Sequence, residues 1–96
     1  KGMLGCFIML FVRADNYNCI RNMHTVKIKT GTSGYTANKG SVALRFDFED
    51  SSFMFLNCHL ASGQNKVPQR IAEIKQTYTE TLNYFNDVQE AQVQLQ

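Results

Sequence analysis

The sequence predicts a layered α/β or α+β arrangement, and three observations predict it. An unbroken apolar run opens the chain, and two alternating segments joined by a polar turn lie in its middle. The apolar period then changes from that of a strand to that of a helix. At 96 residues the chain has the size of one small domain or of part of a larger one.

Residues 4–12 are continuously apolar apart from Gly5, which suits a strand buried on both faces. Asp15-Asn16-Tyr17-Asn18 reads as a turn. Over residues 24–29, Val26 and Ile28 alternate with Thr25, Lys27 and Lys29, the pattern of a short half-buried strand. A loop punctuated by Gly31, Gly34 and Gly40 follows. Residues 41–48 place Val42, Leu44, Phe46 and Phe48 on one face. Residues 53–60 are apolar on both faces at first, and Glu49-Asp50-Ser51-Ser52 between them predicts an antiparallel hairpin.

After Ala61-Ser62-Gly63-Gln64-Asn65, the residues Val67, Ile71, Ile74, Tyr78, Leu82 and Phe85 are spaced 4, 3, 4, 4 and 3 apart. That is one stripe of an amphipathic helix, with Pro68 tolerated in its first turn. The helix is expected to run to about Phe85, with a frayed continuation into the Gln-rich tail left open, and residues 86–96 read as a divergent linker or insertion.

Net charge is only +2, with no basic run, which argues against a nucleic-acid partner. The longest apolar stretch, residues 6–12, is far below the roughly 20 residues that span a bilayer. A secretory leader is not expected, because Arg13-Ala14-Asp15 ends that run with charge. Cys6, Cys19 and Cys58 lack C-x-x-C spacing and read as reduced core residues of a cytoplasmic protein.

Three features could carry chemistry. The Gly-rich loop ends in Asn38-Lys39-Gly40, where backbone N–H groups and an ammonium can meet an anion. Lys39 precedes its glycine, so the loop is no nucleotide P-loop, and a plain solvent loop is the competing reading. His59 stands at the end of a largely apolar strand, where α/β folds open their sites. It could meet a phosphoryl oxygen, or simply be a structural histidine. His24 is assigned no role. The carboxylates suggest no metal site: Asp47, Glu49 and Asp50 suit a solvated turn, and Glu73 and Glu80 share a helix face expected to meet solvent.

Taken together, Thr30-Gly31, Gly34, Asn38-Lys39-Gly40-Ser41-Val42-Ala43 and then His59-Leu60-Ala61-Ser62-Gly63 resemble the inositol polyphosphate 5-phosphatases, particularly synaptojanin-like members. That family reads T-G-x-x-G-x-x-x-N-K-G-[AS]-V-[AS], a hairpin, and H-[LF]-[AS]-[AS]-G. Gln64, Val67 and Arg70 continue the likeness, which covers roughly residues 4–78. The resemblance implies a central segment of a four-layer α/β sandwich of the endonuclease/exonuclease/phosphatase type, with residues 1–96 a part of the catalytic domain.

It further implies Mg²⁺-dependent hydrolysis of the 5-phosphate of phosphoinositides or soluble inositol polyphosphates. By that likeness His59 is catalytic and contacts the scissile phosphate, while Asn38 and Lys39 bind the substrate head group. Arg45 and Arg70 are expected to be structural. The family's metal-binding Glu and its G-D-[LF]-N-[YF]-R motif have no counterpart in this sequence, and Arg70-Ile71-Ala72-Glu73 is a looser version of R-N-x-D. Mg²⁺ is therefore expected to be held by residues outside this chain, which alone should be inactive. Peripheral membrane contact is compatible with such a substrate. A metal-dependent nuclease of the same superfamily and a non-catalytic phosphoinositide-binding or scaffold segment are the alternatives.

Overall fold

The structure, a computed structural model, describes residues 2–3, 5–30 and 39–94. Its centre is a three-stranded antiparallel sheet ordered β3-β4-β5, made of β3 (Ile20–Lys29), β4 (Gly40–Phe48) and β5 (Ser51–His59). A two-stranded ladder of β1 (Gly2–Met3) and β2 (Cys6–Phe7) precedes it, followed by a 3₁₀ segment at Ala14–Cys19. The helix α1 (Val67–Gln94) closes the chain. The fold class is mixed α/β with an antiparallel sheet, as expected. Among the described residues no helix is long and apolar enough to cross a membrane.

The predicted hairpin is present, with Phe48 paired to Ser51 across Glu49-Asp50 and the ladder running on to Gly40 opposite His59. β4 lies between two partners, and its burial exceeds the one-sided pattern expected. Val42, Leu44 and Phe46 are buried on one face, and Ser41 and Ala43 on the other. Phe46 stacks on Phe53 and Phe55, with ring centroids 5.5 and 6.1 Å apart. β3 is longer than expected and carries a bulge between Arg21 and His24, where Asn22 adopts φ 55°. Arg45 donates to the Asn22 carbonyl, and the Asn22 amide donates to Asp47 at 2.7 Å, which pins the bulge to β4.

The two faces of the sheet are covered differently. The N-terminal segment lies over the Leu44–Phe55–Asn57 face, where the Asn57 amide donates to the Phe7 carbonyl at 2.8 Å. Helix α1 lies over the other face, where the hydroxyls of Thr77 and Ser41 meet at 3.1 Å and Gln92 reaches His24 at 3.2 Å.

Three expectations need correction. Residues 4–12 do not form one doubly buried strand. Gly5 turns the chain at φ 77°, Met3 pairs with Cys6, and the run from Met9 to Val12 is irregular and exposed. A run of this kind is doubly buried only between two strand neighbours, and among the described residues its strand pairing is the short Gly2–Met3/Cys6–Phe7 ladder. The helix buries Glu73, Thr77, Thr81 and Phe85, while Val67, Ile71, Ile74 and Tyr78 remain about half exposed. Of the cysteines, Cys6 is buried, Cys19 half-buried and Cys58 exposed, so the last is no core residue. The continuation past Phe85 that the sequence left open is present, and it is regular helix through Gln94.

Candidate functional site

The site is built at the end of the sheet where three segments converge. His59 is the last residue of β5 and stands opposite Gly40, the first residue of β4. Gly40 in turn faces Lys29, and the Thr30 N–H donates to the Lys39 carbonyl at 3.3 Å. The Gly-rich loop therefore leaves and returns beside His59. Residues 31–38 lie outside the described residues, and with them the expected substrate contact Asn38.

Lys39 and His59, twenty positions apart in sequence, meet directly: Lys39 Nζ lies 3.1 Å from His59 Nε2. An ammonium group only donates, so this hydrogen bond requires Nε2 to be the acceptor and places the ring proton on Nδ1. Gly5 borders that nitrogen, since a Cβ built on Gly5 would lie 3.8 Å from Nδ1. Sequence reasoning singled out both Lys39 and His59, and the ladder register brings them together.

The loop after His59 is held by the first turns of α1. Arg70 Nη1 donates to the carbonyls of Ala61 and Gly63 at 2.9 and 2.8 Å, and Glu73 Oε2 accepts the Ala61 N–H at 3.0 Å. Glu73 is buried, against the expectation that it meets solvent. The visible signal was the Arg70/Glu73 spacing, which puts both on one side of the helix. What the spacing could not say is that this side turns toward the loop.

The opposite end of β4, about 20 Å away by strand rise, has a separate polar cluster. There the Asn22 amide, the Ser52 hydroxyl and the Arg45 guanidinium hold the Asp47 carboxyl down to about 2, against the opposing effect of burial. Among the described residues no three His, Cys, Asp or Glu side chains converge as a metal site would require. These residues do not fit a metal ion.

Residues 1–94 match the model of Endonuclease/Exonuclease/phosphatase family 2. The chain belongs to that family. Several of its relatives are named as phosphoinositide or inositol phosphate phosphatases. The chain is 38% identical over 68 residues to polyphosphatidylinositol phosphatase INP53 of Saccharomyces cerevisiae, a match covering 71% of this chain and 6% of that protein. Human synaptojanin-2 is 36% identical over 74 residues, covering 77% of this chain and 5% of the relative. Phosphatidylinositol 3,4,5-trisphosphate 5-phosphatase 2A of Danio rerio is 40% identical over 63 residues, 66% of this chain and 5% of the relative. The family segment described by this chain thus spans about a twentieth of each curated relative it matches. No solved structure matches it significantly.

Proposed function

We propose that the chain is a segment of a Mg²⁺-dependent phosphatase that removes the 5-phosphate from phosphoinositides or soluble inositol polyphosphates. The observation that carries this reading is the 3.1 Å approach of Lys39 Nζ to His59 Nε2 at the mouth of a Gly-rich loop. A phosphate ester needs fixed donors and positive charge where negative charge develops, and a rigid strand end supplies both without the repulsion of a carboxylate. Lys39 brings a full charge, and His59 brings a directional imidazole held by the β4–β5 ladder. Asn38, beside Lys39 in sequence, is the third proposed substrate contact.

Mg²⁺ is assigned to residues outside this chain, where it would neutralise phosphoryl charge. The isolated 96-residue chain is accordingly expected to be inactive. The names of the relatives support the substrate class. The same reading puts the parent protein in the cytoplasm, touching the membrane peripherally when its substrate is a lipid.

The test is Mg²⁺-dependent phosphate release from phosphatidylinositol 4,5-bisphosphate by the longest natural protein that carries this segment, with His59→Ala alongside. Release that collapses in the variant supports the reading. No release from a folded, Mg²⁺-supplied protein overturns it in favour of a binding or scaffold role.

A further inference from the structure

We propose that Arg70 and Glu73 are positioning residues that act through His59, an inference that rests on the phosphatase reading of that histidine. β5 ends at His59, and beyond it the backbone no longer has a ladder to satisfy its N–H and C=O groups. Residues 60–66 must nevertheless carry the chain from the sheet to α1. Left to water, that stretch would let the strand end fray, and His59 is the residue at the end.

The structure replaces the missing ladder with two side chains one helical turn apart. The carbonyl of Ala61 accepts from Arg70, and the N–H of the same residue donates to Glu73. A single peptide-bearing residue, two positions after His59, is thus gripped from both of its polar groups. Arg70 Nη1 donates a second bond, to the Gly63 carbonyl, and the Lys66 N–H also donates to that carbonyl at 3.3 Å. The loop is tied to the helix start at Ala61 and Gly63 rather than at one point.

The energetic cost of this arrangement points to a purpose. Glu73 is only 5% exposed, and a buried carboxylate is tolerated where hydrogen bonds compensate its lost hydration. Helix α1 keeps Ile71 and Ile74 half exposed while it turns Glu73 toward the loop. The orientation of the helix is therefore matched to the loop after His59, and through that loop to the imidazole that faces Lys39.

Positioning predicts a specific kinetic pattern in the full-length protein that carries this chain. Arg70→Met keeps the aliphatic stem but removes both loop bonds. It is expected to lower kcat for release from phosphatidylinositol 4,5-bisphosphate on the order of tenfold to a hundredfold, with KM little changed. In a His59→Ala background, read by single-turnover release, the same substitution is expected to cost less than about threefold, because the group it positions is gone. Glu73→Gln retains an acceptor for the Ala61 N–H and is expected to stay near wild type, whereas Glu73→Asp, one methylene shorter, falls with Arg70→Met. Should Arg70→Met fail to fold, the Glu73→Asp and Glu73→Gln pair decides by the same kcat split.

An equal loss in both backgrounds, or no loss in either, overturns the positioning role while leaving His59 intact as a catalytic residue. Full activity of His59→Ala itself overturns the phosphatase reading of His59, and this inference with it.

Discussion

Gly40 stands directly opposite His59 in the β4–β5 ladder, and a methyl group on its α-carbon would come within 2.2 Å of the Ile28 carbonyl oxygen. Its φ of 149° adds a backbone conformation that L side chains rarely adopt. The residue that ends the Asn38-Lys39-Gly40 motif is thus required by the sheet itself: β3 closes over β4 at the place where His59 must be held. Gly40→Ala is expected to destabilise the folded protein by at least about 2 kcal/mol, since backbone rather than a flexible side chain must yield. A denaturant midpoint equal to wild type would refute this account of the motif glycine.

Lys39 is the charged partner of His59, and its substitution separates binding from chemistry. Lys39→Gln removes the ammonium while keeping a polar side chain of similar length. In the full-length protein KM is expected to rise by roughly tenfold, the worth of one charge-assisted hydrogen bond, with a smaller fall in kcat. Steady-state kinetics on a soluble inositol polyphosphate checks this without a membrane surface. A fall confined to kcat would assign Lys39 to the reacting atoms rather than to substrate binding.

The sequence disclosed elements more readily than their surroundings. Val42, Leu44 and Phe46 repeat with the period of a strand, and Glu49-Asp50 can only be a turn between two such runs, so the hairpin was legible. Its register, which puts Gly40 and Lys39 at His59, follows from that turn. The helix was legible from the spacing of Val67, Ile71, Ile74 and Tyr78, but its buried side was not. Periodicity counts apolar residues and cannot see that Arg70, Glu73 and Thr77 find backbone and hydroxyl partners on the loop and on β4. Residues 4–12 misled for a related reason: apolar content sets what a strand could bury, while Gly5 at φ 77° turns the chain, and the strand it forms is the short Cys6–Phe7 paired to Gly2–Met3.

Asp47 makes a pH-dependent contribution whose sign is fixed by its surroundings. The Asn22 amide, then Ser52 and Arg45, favour the ionised form and lower its pKa from the ordinary 3.8 to about 2. Between those values the unfolded chain binds more protons than the native one, so stability rises with pH. The contribution is complete above 3.8 and is lost as pH falls toward 2. Asp47→Asn is expected to be less stable than wild type at neutral pH, with the difference shrinking through that acid window. Thermal melts of both proteins across the window check it, and a difference that stays constant would show that Asp47 does not titrate with folding.

The apolar surface left uncovered makes a last prediction, about the 96-residue chain on its own. Val67, Ile71, Ile74 and Tyr78 form a continuous half-exposed stripe along α1, and Phe7, Met9 and Phe11 are more exposed still, Phe11 at 83%. Phe53 and Phe55 add aromatic area on β5, which is an edge strand among the described residues. Contiguous apolar patches and open strand edges drive association, because water gains by losing contact with both. The isolated chain is expected to self-associate or to melt without cooperativity, as judged by sedimentation velocity and thermal circular dichroism. Ile71→Lys together with Tyr78→Glu, which break the stripe without touching Arg70, Glu73 or Thr77, are expected to shift the sedimenting species toward monomer. A monomeric wild-type chain with a sharp melt would mean that the exposed stripe needs no cover, and that this segment folds as a unit of its own.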